Sequence, residues 1–201
     1  MKDDINQLTP AILLPLFYSN HNLGMDGGLS SSSVRIEVNK NFHFFIPNYN
    51  ARRKAVLWHD IHHLVTGYSA GSFLGECEIS AWEIASGCKR YWAAFIIDTS
   101  GVVLGCFINP KRITQAYARG RRTLNLYHDI ITKEEVMDRK IDDLRSLLLL
   151  DKYPAETSPG TKDFVMFGLF LLFGAVYSIL SILQIPFIIV YNLWYFLRGR
   201  G

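Results

Sequence analysis

From Phe164 to Leu197 the chain carries no charged side chain, a run of 34 positions that Arg198 and Arg200 close. Such a run limits the fold severely, because a helix needs only about 20 apolar residues to span a bilayer. Phe164–Leu183 (FVMFGLFLLFGAVYSILSIL) meets that length alone. Pro186 then interrupts the run, and proline inside a helix removes a hydrogen bond and kinks or ends it. The remaining stretch, Phe187–Leu197, is too short to span untilted and holds Tyr191, Trp194 and Tyr195, residue types that favour headgroup depth. The pattern predicts a C-terminal transmembrane or membrane-embedded helix. Either one long kinked helix, or one span or re-entrant wedge followed by an interfacial helix, satisfies it.

The hydrophobic content of 49% therefore averages two unlike parts. Without Arg198 and Arg200, 19 of the 21 Lys and Arg remain against 18 Asp and Glu, so residues 1–163 are nearly neutral. That balance gives no electrostatic footprint for nucleic acid. Lys2, Asp3 and Asp4 open the chain, and the short apolar stretch Ala11–Tyr18 is broken by Pro15, which is unlike a secretion signal. Cys77, Cys88 and Cys106 are odd in number and lack metal-finger spacing. They read as free thiols in a reducing compartment.

Residues 1–20 contain a short apolar helix candidate. Ser33–Asn39 alternates in polarity and Phe42–Ile46 is apolar, which predicts a small hairpin around Asn39-Lys40-Asn41. Helical periodicity continues over Leu57–Val65, Phe73–Cys88 and Tyr91–Asn109, and Pro110 opens a basic helix over Lys111–Arg122. Asp129–Leu150 contains a capping box, Thr132 to Glu135, before an amphipathic stretch. Pro154, Pro159 and Gly160 mark a linker. The predicted fold is mainly α: a helical metal-binding catalytic domain over 1–151, a linker over 152–163 and a membrane anchor over 164–201.

Three of the six histidines fall within His59-Asp60-Ile61-His62-His63. On a helix, His59 and His63 share a face, the spacing that places two imidazoles on one ion. His62 partly shares that face. Asp60 points about 100° away from His59, to reach the ion closely or to orient a ligand from behind. A Gly/Ser loop leads to a second helix carrying Glu76, Glu78 and Glu83, with Glu76 and Glu83 on one face. Antiparallel packing would bring a glutamate to the histidines. A His/His/carboxylate set suits Zn²⁺, Mn²⁺ or Fe²⁺.

The run HDIHHLVTGYSAGSFLGECEISAWE resembles the signature of the Coq-four family of coenzyme Q (ubiquinone) biosynthesis proteins, H-D-x-x-H, eleven residues, then E. His59, Asp60 and His63 match its first three ligands and Glu76 its fourth. Here twelve residues, Leu64–Gly75, precede Glu76, the extra one falling in the loop, with Glu78 as the alternative. RGRRTLNLYHD and VMDRKIDDLRSLL are also similar to this family, so the resemblance covers about residues 10–150. It implies a metal-dependent, mostly helical protein, with Zn most favoured and Fe, Mn or Co as alternatives. It also implies oxidative decarboxylation, C1 hydroxylation of a polyprenylated benzoate-type ring. The implied partners are membrane lipid, the prenylated precursor and other quinone-biosynthesis proteins, and a homo-oligomer is compatible with it. A prenylated substrate lives in a bilayer, which matches an anchored chain with its domain on the cytoplasmic side.

Lys111, Arg112, Arg119, Arg121 and Arg122 form a basic cluster that reads either as a solvated helix face or as a membrane-surface contact. Trp58, Trp82, Tyr91 and Trp92 read chiefly as core, with a prenyl groove as the alternative. Tyr68 and Ser69 in the loop are candidates to gate the site. Two other functions compete. One is a metal-dependent hydrolase, either HD-phosphohydrolase-like, with His43 and Asp98 as added ligands, or zincin-like, with Asp60 as base. The other is a noncatalytic prenyl-lipid scaffold. His43 and His128 otherwise read as structural.

Overall fold

The computed structural model describes residues 6–21, 26–39, 42–182 and 185–198. Helix α1 (Pro10–Asn20) has proline at its first position, where a missing N–H is harmless, and buries Leu13, Leu14, Phe17 and Tyr18. Strands β1 (Ser33–Asn39) and β2 (Phe42–Pro47) pair antiparallel, with Val34 opposite Ile46. The hairpin is thus where the alternation predicts it; Lys40 and Asn41 of its turn lie outside the described residues. Helices α2 (Asn50–Thr66), α3 (Phe73–Ser86), α4 (Trp92–Ile108) and α5 (Pro110–Gly120) build the main body. A 3₁₀ turn at Leu126–His128 leads to α6 (Lys133–Asp138) and α7 (Ile141–Leu147). The capping box forms at Thr132 and Glu135, but extended Arg139 divides the stretch into two short helices.

Helix α3 is the axis of the domain, packed against both α4 and α5. Ile79, Ala81, Trp82 and Glu83 have no exposed surface. The Ser72 side chain caps its start by accepting from the Gly75 N–H. A Cβ on Gly75 would lie 2.1 Å from the Ser69 carbonyl oxygen, so the loop crosses the first turn of α3 as closely as only glycine permits. Helix α2 ends at Gly67, which is left-handed at φ 78°. Two buried-facing guanidinium groups satisfy its last carbonyls: Arg119 Nη1 donates to Thr66 O at 3.0 Å and Arg145 Nη1 to Val65 O at 2.6 Å.

Helix α8 (Thr161–Ile182) lies against α4 and α5, and α9 (Ile185–Leu197) against β2. Asp163 in the first turn of α8 is buried and pairs with Arg121 at 3.5 Å and with Arg122. Phe167 is buried, its ring 4.9 Å from that of Tyr117. Residues 152–163 are tied down: Arg119 Nε donates to Tyr153 O at 2.8 Å and Arg122 Nη1 to Ser158 O at 3.2 Å. The Asn192 amide donates to Phe45 O at 3.0 Å and accepts from Phe45 N at 2.8 Å. Among the described residues no helix is long and apolar enough to cross a membrane. Of the stretch expected to span, 164–183, residues up to Ile182 lie in α8 and Leu183 lies outside the described residues. Lys162 and Asp163 occupy the first turn of α8, one face of that helix packs on the domain, and α9 is a separate element on the hairpin.

Candidate metal centre

His59 and His63, one turn apart on α2, place their Nε2 atoms 3.2 Å from each other. Glu76, in the first turn of α3, sets Oε2 3.3 Å from His59 Nε2 and Oε1 3.4 Å from His63 Nε2. The opposite nitrogen of each ring is already committed. His59 Nδ1 faces both Glu83 oxygens at 3.1 and 3.2 Å, and His63 Nδ1 lies 2.9 Å from the Tyr68 carbonyl oxygen. Carbonyls and carboxylates only accept, so each Nδ1 carries a proton, and each Nε2, once it has released its own, presents a lone pair. Two lone pairs and a carboxylate therefore converge, an arrangement that calls for a positive charge among them. Tetrahedral ligands bonded at about 2.0–2.1 Å stand roughly 3.3 Å apart, so these spacings and this donor set fit a divalent ion such as Zn²⁺. His59 is 23% and Glu76 40% exposed at the side chain, whereas His63 is 2% exposed, so the group is open to solvent on one side.

Without an ion, a proton on the His59 ring supplies that positive charge. Burial alone would push the His59 imidazolium pKa down, but Glu83 and Glu76 outweigh it and hold the pKa well above the ordinary value. Burial raises the Glu76 carboxyl, and hydrogen bonds from His59 and His63 reverse this, bringing it to about 2. Each partner favours charge in the other, which is the field a cation would meet.

Behind the ligands stands Glu83, fully buried and held well below the usual carboxylate range, because His59 and His62 outweigh the effect of burial. It accepts from His59 Nδ1, from His62 Nδ1 at 2.5 Å and from the Tyr127 hydroxyl at 3.3 Å. His62 Nε2 accepts from the Leu126 N–H at 2.9 Å, which fixes that ring as neutral, in keeping with burial lowering its pKa. Glu83, itself held by His62, thus orients the His59 ring from behind. Asp98 on α4 completes a second close group with His59 and Glu83. Burial and the neighbouring Glu83 push its carboxyl well above the usual range, so it is the protonated member of the pair.

Of the residues singled out in the sequence, the fold brings together His59, His63 and Glu76, the one such group besides the Asp98 cluster among the described residues. Asp60 stands outside it. One step along the helix turns it toward Tyr18 of α1, where its Oδ2 is buried without a hydrogen-bond partner. Glu78 does not join this group; Arg112 grips it from two nitrogens at 2.6 and 2.5 Å. The basic cluster is mostly used inside the protein. Arg119 is 1% exposed and cannot reach a headgroup, Arg112 holds Glu78, and Arg121 and Arg122 hold Asp163; only Lys111 is exposed without an acidic partner among the described residues. Tyr68 is fixed rather than placed as a gate, buried with its ring 5.4 Å from the Arg119 guanidinium. The Ser69 backbone is pressed against Gly75. Trp82 and Tyr91 are core, Trp58 donates to the Tyr91 hydroxyl at 2.8 Å, and Trp92 is exposed. His43 is exposed on β2, away from the added-ligand role, and His128 Nε2 lies 2.6 Å from Ser86 O.

The supporting roles of Tyr127 and Tyr18 have no local signature. Asp98 had one: it is the sole charge in WAAFIIDTSGVVLGCFI, and a lone carboxylate in an apolar helix needs a partner. No family model matches the chain, and neither does any curated protein or solved structure.

Proposed function

We propose that the chain is a metal-dependent, membrane-associated enzyme of quinone biosynthesis that carries out oxidative decarboxylation of a polyprenylated benzoate-type precursor. The observation that carries this reading is the convergence of His59 Nε2, His63 Nε2 and Glu76 at a solvent-open point, with both Nδ1 atoms locked behind. The resemblance of HDIHH and its subsequent Glu76 to the Coq-four family supplies the substrate class.

His59, His63 and Glu76 would hold the ion, which would supply Lewis-acid stabilisation of the ring carboxylate and its ortho oxygen. Zn²⁺ suits the donor set best, and Fe, Mn and Co share its ligand types. In the net reaction the ring carboxyl leaves as CO₂ and the ring carbon gains a hydroxyl oxygen from O₂. The second oxygen atom leaves as water, with two electrons from a soluble two-electron donor and two protons. Glu83 keeps the proton on His59 Nδ1, so Nε2 would be the atom that holds the ion. Asp60, pushed up to about 6 chiefly by burial, is the group beside the ligands that can hold or release a proton near neutral pH, at Oδ2.

The apolar surface of α8 supports work on a lipid substrate at a membrane, and the unpaired cysteines fit a domain on its reducing, cytoplasmic side. Metal analysis of the purified chain tests the site. The wild type should hold about one ion per chain, and His63→Ala and Glu76→Gln should each weaken binding at least a hundredfold while the helix content stays unchanged. A wild type without metal refutes the reading. Loaded protein should convert a C1-carboxylated prenyl-phenol only with O₂ and reductant. Metal binding without turnover, with prenyl lipid bound, would instead identify the scaffold.

A further inference from the structure

Most of the large apolar side chains left exposed among the described residues lie on α4, α8 and α9. The greasy face of α4 belongs to the helical domain, not to the C-terminal run. Trp92, Phe95, Ile97, Leu104 and Phe107 are exposed there, Phe107 to 85%, while the one charge of the helix, Asp98, is turned inward at 2%. Helix α8 continues this surface. The Phe95 and Phe173 rings are 5.8 Å apart, and a Cβ on Gly174 would lie 2.8 Å from Val103, so the two helices lie close together. Leu169, Leu172 and Val176 point outward beside them.

The rim carries unpaired cations. Lys54, Lys111 and Lys162 are exposed and have no acidic partner among the described residues. Lys54 and Arg90, the latter paired with Asp129 at 3.0 Å, flank Trp92 in a cleft lined also by Ala51 and Tyr91 at the start of α4. Lys162 opens α8, where the only acid, Asp163, is buried against Arg121 and Arg122. A second copy docking through the same patch would set this basic rim against itself. An anionic leaflet answers both the apolar centre and the basic edge, and tryptophan beside lysine is the pairing expected at headgroup depth.

We propose that the α4–α8 surface seats the domain directly in one leaflet of an anionic membrane, with Trp92, Lys54 and Lys162 at the level of the lipid phosphates. The domain itself is then the membrane-binding unit, not a body tethered by its tail. This deepens the membrane part of the functional reading by naming the lipid-facing surface, and it does not depend on the chemistry at the metal.

The test uses the full chain reconstituted into phosphatidylcholine vesicles with and without phosphatidylglycerol, part of the lipid brominated. Bromolipid should quench tryptophan fluorescence, and Trp92→Phe should remove a clear share of the quenching. Ile97→Glu with Leu104→Glu, both at exposed positions, should abolish the Trp92 share with helix content and metal content unchanged. Lys54→Gln and Lys162→Gln should each weaken association with the anionic vesicles about fivefold and leave the zwitterionic ones unaffected. Unchanged quenching in Trp92→Phe overturns the proposal, because attachment then runs through the C-terminal helices alone. So does a dimer that persists with vesicles and is broken by the double Glu variant, because a second copy then covers the face. Wild-type protein that purifies without metal and still shows Trp92 quenching refutes the metal reading and leaves this one standing.

Discussion

Helices α3 and α8 invert the usual distribution of polarity in opposite ways. Helix α3 runs through the centre of the domain and carries three glutamates, Glu76, Glu78 and Glu83, two of them buried. Helix α8 runs along the outside, has no charge after Asp163, and leaves Phe164, Leu169 and Leu172 more than half exposed. A buried carboxylate survives only when paired and hydrogen-bonded. Each glutamate of α3 meets that requirement differently: Glu76 with His59 and His63, Glu78 with Arg112, Glu83 with His59, His62 and Tyr127. The exposed side chains of α8 have no such internal answer. The contrast teaches that unfavourable burial inside the domain is resolved by the chain itself, whereas unfavourable exposure outside asks for a partner.

Breaking the α3 side of the contrast should give the larger effects. Glu83→Leu removes the acceptor of two imidazoles and a phenol at once, and should cost about 3–5 kcal/mol in denaturant unfolding. Asp60 comes next, with a sign set by pH. Its ordinary value is 3.8 and burial lifts it to about 6 in the fold. A raised carboxyl contributes stability while protonated, below about pH 3.8, and that contribution is lost as pH rises through about 6. In chelated protein, Asp60→Asn should therefore stabilise the fold at pH 7.5 by up to about 3 kcal/mol and give no gain at pH 3.5. A gain independent of pH would show that the carboxylate is not the cause. Arg112→Ala strands buried Glu78 and should cost about 2 kcal/mol by thermal unfolding, with metal content unchanged. On the α8 side, Leu172→Gln should change unfolding free energy by less than about 0.5 kcal/mol in detergent solution, since that residue is 68% exposed. A larger loss there would mean that α8 packs outward as well as inward.

The site was legible where its parts are neighbours in the chain. His59 and His63 are one helical turn apart, and Glu76 comes after a loop short enough to fold back, so periodicity alone placed two imidazoles on one face. The twelve-residue interval to Glu76 is accommodated at Gly75, where the loop backbone is pressed onto the helix. The hairpin was legible for the same local reason. The arginines were not. Arg119 donates to Thr66, 53 residues away, and Arg122 reaches Asp163, 41 residues away. A row of cations in sequence resembles a surface patch until the distant carbonyls and carboxylates that draw each one inward are known. The C-terminal run shows the same limit. Hydropathy measures what a helix would gain by leaving water, not which of its faces a domain has already claimed, and α8 gives part of its surface to Tyr117, Phe95 and Val103.

The amide of Asn192 has a further consequence. A two-stranded hairpin has bare edges, and an unpaired strand edge is a template onto which another chain can add. By occupying both the N–H and the carbonyl of Phe45, Asn192 does with one side chain what a third strand would do, at the residue whose ring also stacks on Tyr195. Helix α9 thereby covers the edge of β2 at Phe45, and replacing that one asparagine would bare those two backbone groups at a distance from the histidines.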